Sequence, residues 1–307
     1  MASPVLSKFN PTIFIKSLKF CGRRSLSAGT VRRTEKRNEK ISEYAEGETH
    51  FGFEKVKEEE KSSKVHKVFE DVAQDYDKMN DCMSFGVHRL WKDIFMQRLS
   101  PVHGTRLLDV GGGTGDIAFR FVKYLENSSI PVNPNLSNHV TISDINNEML
   151  EVGKRRAADR GVITAAEEVN CSVDWLEADA EKLPLPDSSF NAYTIAFCIR
   201  NCTHPEKVLE EAYRVLQPGG RFLCLEFSHV ENDTLRWLYD QYSFQIIPLM
   251  GQLVAGQWRP YQYLVESIRQ FPAQEEFKEM IEAAGFRCVS YENLNFGVVA
   301  IHSGFKL

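Results

Sequence analysis

The chain has 307 residues, 43% of them apolar and 26% charged, the make-up of a folded globular protein and not of a disordered or collagen-like one. A net charge of −5 argues against a life on nucleic acid, and no apolar run approaches the roughly 18 residues that would span a bilayer. That charge is unevenly spread: residues 1–34 hold seven basic residues and no acid, leaving 30 basic against 42 acidic in the remainder, or −12.

The first element in chain order is this basic tail. Asn10-Pro11 suits the cap and first turn of a helix, and a helix over 11–24 gathers Lys16, Lys19 and Arg23 opposite Phe14, Leu18 and Cys21. An Arg-rich, Ser-rich, acid-free amphipathic start is the composition of a mitochondrial transit peptide, whereas Lys16 and Lys19 interrupt the apolar stretch a secretory signal needs. Residues 1–45 are therefore expected to be a targeting segment, with a retained basic tail as the alternative, and 46–307 the working domain. Seven cysteines without a CxxC pair, and eight histidines not clustered with acids or cysteines, fit a reducing compartment and predict no metal site.

Val65, Val68, Phe69, Val72, Tyr76 and Met79 recur at helical spacing and predict a helix over 65–79, with a second over 81–99. Residues 46–100 thus read as a helical extension. After Pro101, strands predicted at 106–110, 140–143, 173–176, 193–197 and 221–227 alternate with helices such as 148–160 and 205–216. The alternation indicates an α/β fold, a doubly wound and mostly parallel sheet with helices on both faces. Phe286–Glu292 and Gly297–Gly304 add an antiparallel C-terminal hairpin, for seven strands. Ser128–Asn138 reads as a solvent loop. Residues 229–272 read as a helical insertion in which 237–263 carries 7 aromatics in 27 residues. It either packs on the sheet or lines an apolar groove like a lid.

The strongest chemical signal is Leu107-Leu108-Asp109-Val110-Gly111-Gly112-Gly113-Thr114-Gly115-Asp116, a strand entering a glycine turn and then a helix. Glycines there allow positive φ and close approach of a ligand to the backbone. A dinucleotide fingerprint would require glycine where Asp116 stands, and a carboxylate at a helix start repels a pyrophosphate. A cofactor without phosphates fits better. Asp144 ends the second strand, where it can accept both ribose hydroxyls, and Asp179, in Ala178-Asp179-Ala180 after the third, can accept from an adenine amino group. Together with the Pro218-Gly219-Gly220 turn, this spacing suits S-adenosylmethionine.

The same residues resemble a class I S-adenosylmethionine-dependent methyltransferase. His50-Phe51-Gly52-Phe53, Tyr76-Asp77-Lys78-Met79-Asn80-Asp81, Ser84-Phe85-Gly86-Val87-His88-Arg89-Leu90-Trp91-Lys92, Ile199-Arg200-Asn201, Leu225-Glu226-Phe227-Ser228 and Tyr261-Gln262-Tyr263-Leu264-Val265-Glu266-Ser267-Ile268 resemble the UbiE family, the C-methyltransferases of ubiquinone and menaquinone biosynthesis. The similarity runs from about residue 49 to the C-terminus. Two departures stand out: the family usually has alanine where Gly111 stands and glycine where Cys198 stands, so the backbone ahead of Arg200 is expected to be more restricted than in relatives.

With a mitochondrial presequence in front, the resemblance implies C-methylation of 2-methoxy-6-polyprenyl-1,4-benzoquinol. It implies cofactor contacts from Gly111, Gly113, Thr114, Asp144, Asp179 and Ala180. Arg200 is the candidate catalytic residue, stabilising a quinolate oxygen or orienting a proton-accepting water, or else an ion pair that holds its loop. Tyr76, Asn201 and His204 are the substrate candidates. The resemblance further implies a peripheral enzyme on the matrix face of the mitochondrial inner membrane, in company with other ubiquinone-biosynthesis proteins, and leaves a homodimer open. A methyltransferase for another small phenol or quinol, or a mainly structural member of a biosynthetic assembly, are the alternatives.

Overall fold

A computed structural model describes residues 47–72, 76–129 and 133–307; the targeting segment expected over 1–45 lies outside the described residues. A hairpin opens the described chain, β1 (Glu48–Phe51) and β2 (Glu54–Lys57), which the sequence reading does not anticipate because half its residues are charged or exposed. Helix α1 (Glu58–Val72) begins seven residues before the expected start. Its first turn holds Glu58, Glu59 and Glu60, a favourable complement to the positive end of the helix dipole and invisible to an apolar-periodicity search. α2 (Tyr76–Ser84) and α3 (Val87–Leu99) replace the single helix expected over 81–99. The break has a backbone cause: Phe85 and Gly86 both lie in the left-handed region, at φ +51° and +76°. α3 then buries His88, Trp91, Lys92, Phe95, Met96 and Leu99, a single i, i+3, i+4 face.

From β3 (Arg106–Val110) the chain alternates as expected. α4 (Asp116–Glu126), β4 (Asn138–Asp144), α5 (Asn147–Asp159), α6 (Val162–Glu168) and β5 (Cys171–Glu177) form one half. β6 (Phe190–Ala196), α7 (Pro205–Val215) and β7 (Leu216–Phe227) begin the other. The insertion consists of α8 (Asp233–Gln241), a π-helical turn Tyr242–Ile246, α9 (Ile247–Ala255) and α10 (Arg259–Gln270). After it come α11 (Gln274–Ala283), β8 (Arg287–Leu294) and β9 (Val299–Phe305).

The seven strands run in the order β5-β4-β3-β6-β7-β9-β8, parallel through β7, with β9 antiparallel between β7 and β8. Apolar clusters cover both faces, one around Phe95, Phe121 and Ile142 and the other around Tyr193, Phe222 and Phe277. β3 is the point where strand order reverses, with β4 on one side and β6 on the other, and ligands in such sheets bind beyond the carboxyl ends of the strands there.

Segments far apart in sequence close over that edge. Phe51 of the hairpin stacks on Tyr263 of α10 with ring centroids 4.2 Å apart, and the Phe53 N–H donates to Glu266 Oε2 at 3.0 Å. Lys61 of α1 is buried and donates from Nζ to the Cys202 carbonyl at 2.9 Å, which ties α1 to the turn after β6. Arg214 at the end of α7 fastens the 183–187 loop by donating to the carbonyls of Leu183 and Leu185 and to Asp187. No helix among the described residues is long and apolar enough to cross a membrane.

Candidate active site

Gly111, Gly113 and Gly115 all take positive φ, so the loop after β3 folds tightly beneath the end of β4. Asp144 fixes it there. Its Oδ2 accepts from the Gly113 N–H at 2.9 Å and its Oδ1 from the Asn146 N–H at 2.9 Å, while Asn146 in turn caps α5 through the Met149 N–H. Burial pushes the Asp144 carboxyl up. These residues line a cavity of about 200 Å³, together with Asp179 and Ala180 beyond β5 and with Ser62, Val65 and His66 of α1. Asp179 Oδ1 accepts from the Glu181 N–H at 2.9 Å, and the Thr114 hydroxyl accepts from Arg156 Nη1 at 2.9 Å. The fold thus brings all six expected cofactor residues to one cavity.

The chemistry of that cavity suits a cationic, phosphate-free ligand. Asp109, Asp116, Asp144, Asp179 and Glu181 all line it, and among the described residues lining it Lys92 is the sole lysine or arginine. At Gly113 an added Cβ would stand 3.3 Å from Met149 Cε and 3.8 Å from Asp144 Oδ2, so bare backbone keeps the floor open. Asp109 is buried and was not among the expected residues. Its Oδ1 accepts from Thr194 Oγ1 at 2.8 Å, and burial pushes its carboxyl up to about 7. Asp116, at the head of α4, meets Lys92 Nζ at 2.6 Å and also Arg120. Against the effect of burial, these two cations hold its carboxyl down to about 2. A negative charge therefore stands where a dinucleotide would place its pyrophosphate.

A second cavity, of about 130 Å³, adjoins the first; the two linings share Lys92 and Phe197. Tyr239, Tyr242, Tyr261 and Tyr263 of the insertion wall it, with Met79, Trp91 and Phe227. No carboxylate lies among the described residues lining it, and Lys92 and Arg200 do. Phe197 holds φ +56°, a conformation that costs on the order of 1 kcal/mol for a residue with a side chain and that concentrates at functional sites.

Arg200 is buried in the turn Ile199–Asn201. Its Nη1 donates to Glu226 Oε1 at 2.8 Å and to the Phe197 carbonyl at 2.7 Å, and its guanidinium lies 5.3 Å from the Phe227 ring centroid. It therefore both lines the second cavity and holds the loop. Asn201 lines the first cavity, and its Oδ1 accepts from the Tyr263 hydroxyl at 3.1 Å. His204 is drawn away by Glu181 at 2.9 Å and Glu58 at 3.3 Å and stands outside both linings. Tyr76 starts α2, and its side chain lies outside the described residues.

The two departures at Gly111 and Cys198 turn out to be neighbours. A Cβ on Gly111 would lie 2.5 Å from Cys198 Cβ and closer still to its Sγ. Cys198 itself takes φ −121°, ψ −47°, negative-φ backbone that places no demand for glycine. In this chain the space that a side chain on residue 111 would need is filled by Cys198.

Sequence reasoning missed Asp109, Lys92 and His88 as site residues, and it named none of the four tyrosines singly, although they belong to the insertion expected to pack on the sheet or line an apolar groove. A signal existed for two of them: His88 and Lys92 lie four apart on a helix face otherwise filled by Trp91, Phe95 and Met96, polar groups where only apolar ones would pack. His88 Nε2 lies 2.8 Å from Asp81 Oδ1, and burial lowers its pKa in spite of that partner.

Comparison with known proteins places this site in context. The model of the ubiE/COQ5 methyltransferase family matches residues 55–306. A mitochondrial 2-methoxy-6-polyprenyl-1,4-benzoquinol methylase of Drosophila melanogaster is 67% identical over 259 residues, 84% of this chain and 85% of that protein. The Homo sapiens protein of the same name is 53% identical over 284 residues, 85% of each chain. The crystal structure of a SAM-dependent methyltransferase from Thermotoga maritima matches at TM-score 0.52 and 20% identity, over 79% of this chain and 100% of that one, and supports the fold.

Proposed function

The chain belongs to the ubiE/COQ5 methyltransferase family, and we propose that it methylates a ring carbon of 2-methoxy-6-polyprenyl-1,4-benzoquinol in ubiquinone biosynthesis, with S-adenosylmethionine as donor. The observation that carries the reading is the contrast between two adjoining cavities. The carboxylate-lined one suits a sulfonium, and the aromatic one, free of carboxylates among its described residues, suits a phenol that must become anionic. When bound, the cofactor supplies a methyl group whose bonding pair remains on sulfur as it departs.

Residues of this chain do the rest. Asp144 would hold the ribose hydroxyls and Asp179 the adenine amino group of the cofactor, with Gly111, Gly113, Thr114 and Ala180 beside them in the same cavity. A phenol ring carbon is a poor nucleophile until a hydroxyl ortho or para to it loses its proton. Arg200 stabilises the resulting oxygen charge from within the second cavity, and Glu226 sets its orientation.

The polyprenyl tail is read onto the insertion. Trp237, Leu238, Leu249, Leu253 and Val254 are exposed there, Leu253 to 75%, on elements that also wall the second cavity. An apolar surface of this kind gives a body of net charge −12 a means of reaching a lipid-dissolved substrate. The mitochondrial names of the relatives support a mitochondrial location; the same reading puts the protein in the matrix at the inner membrane, with residues 1–45 as the targeting segment and 46–307 as the catalytic domain. Mass spectrometry of quinol intermediates in cells lacking the protein tests the assignment. Loss of the C-methylated quinol with build-up of its demethyl precursor is expected, and an unchanged intermediate pool would refute it.

A further inference from the structure

Lys92 belongs to both cavities and has no role in the reading above. It sits on the buried face of α3, and with Phe197 it is what the two linings have in common. Building on the quinol reading, we propose that Lys92 is a catalytic residue whose ammonium stabilises the quinolate oxygen ortho to the carbon that receives the methyl.

The reacting ring carbon must face the sulfonium methyl in line at about 3–3.5 Å. The reacting edge of the ring therefore lies where the cavities meet, and the ortho oxygen faces the same wall. Lys92 forms part of that wall, whereas Arg200 lines the second cavity alone. Asp116 holds the Lys92 ammonium at 2.6 Å and is itself also held by Arg120, so the carboxylate anchors the cation without depending on it. An ammonium has three donors, which leaves others for a ligand oxygen. Asp109 of β3, Asp116 of α4 with its partner Arg120, and His88 of α3 interact with it, and the cavities it lines also hold His66 of α1, Asp144, Asp179, Glu181 and Arg200.

In the step itself the quinol O–H breaks and its proton passes to water. The ring carbon then forms the new C–C bond as the S–C bond breaks, with its electron pair staying on sulfur. The carbon's own hydrogen leaves as a proton, the oxygen regains one, and a single proton is released overall. A cation beside the oxygen favours the first of these events in a site shielded from water.

The test compares Lys92→Met, Lys92→Gln and Lys92→Arg with the unaltered protein, the Gln variant retaining a donor for Asp116 should the Met variant fail to fold. S-adenosylmethionine affinity is read by calorimetry. The ionisation of a bound nitrophenol, whose phenolate is coloured, is read by absorbance, and methylation of a short-chain prenyl benzoquinol is followed against pH. The proposal expects the unaltered protein to lower the bound phenol's pKa and the uncharged variants to raise it by about one unit, a tenfold change in ionisation. The acid limb of kcat moves with it, the dissociation constant for the cofactor stays within about threefold, and Lys92→Arg restores both values. Uncharged variants with unchanged phenol ionisation and kcat would overturn it. So would loss of cofactor affinity with phenol ionisation intact, which places the ammonium on the cofactor instead. Failure of the unaltered protein to methylate the quinol would remove the functional reading and this proposal together.

Discussion

Replacing Gly111 by alanine is a severe test of how the cofactor cavity is packed. The added methyl would stand 2.5 Å from Cys198 Cβ, far inside van der Waals contact, and the neighbouring atoms belong to a short, stiff side chain. Overpacking of this kind costs typically 1–3 kcal/mol, and φ +61° at residue 111 adds about 1 kcal/mol for any residue with a Cβ. The single variant should therefore lose roughly 2–4 kcal/mol and melt about 4–16 °C lower, since each kcal/mol shifts a domain of this size by about 2–4 °C. The double variant Gly111→Ala/Cys198→Gly removes the collision and keeps only the backbone cost, so it should recover about 1–3 kcal/mol. Thermal and urea unfolding of the four species of this cycle give the coupling directly. Strict additivity, with the double variant less stable than either single one, would refute the shared-space account.

Asp144→Ala removes an acceptor from two backbone N–H groups and from the expected ribose position; calorimetry should show the cofactor bound about 10- to 100-fold more weakly. Arg200→Ala leaves Glu226 as a buried unpaired charge and should cost about 3–5 kcal/mol in urea unfolding, whereas Arg200→Lys should fold and lose turnover with cofactor affinity unchanged. His302 is buried against Phe277, and burial lowers its pKa from 6.5 to about 4. The unfolded chain thus binds the extra proton first, so the His302 contribution to stability, full above about pH 6.5, is lost as pH falls to about 4, by about 3 kcal/mol; Asp109, raised to about 7, acts in the opposite sense over the overlapping range, so the His302 share is read as the difference between the unaltered protein and His302→Gln. Trp237→Glu and Leu253→Glu lie on exposed apolar surface, so unfolding should shift by less than about 0.5 kcal/mol while vesicle binding and the KM for a long-tailed quinol worsen.

The sheet was largely legible because each strand is a short apolar run bounded by turn residues. Arg106–Val110 matches its expected range, and the other strands differ by a few residues at their ends. β1, β2 and the start of α1 were not legible, since Glu48, Glu54, Lys55 and Glu58 to Glu60 carry charge where a pattern search looks for apolar residues. The cofactor half of the site was readable for a local reason: the glycine loop, Asp144 and Asp179 each follow a strand end. The second cavity was legible only in part: Arg200 and an aromatic insertion able to line an apolar groove were expected, but the way Met79, Trp91, Arg200, Tyr239 and Tyr263 meet depends on tertiary packing between separate elements. The left-handed conformation of Phe197, which lines both cavities, leaves no mark in composition or spacing.

The proposed reaction is methyl transfer to a ring carbon of a prenylated quinol, and the contrast between an acidic cavity and an aromatic, cation-bearing neighbour supports it. Incubating the purified protein with S-adenosylmethionine bearing a deuterated methyl group and a short-chain 2-methoxy-6-prenyl-1,4-benzoquinol, then locating the label by mass spectrometry and NMR, tests this most directly. The account predicts one labelled methyl group on a ring carbon. A label on oxygen, or no transfer while the cofactor is bound, would contradict it.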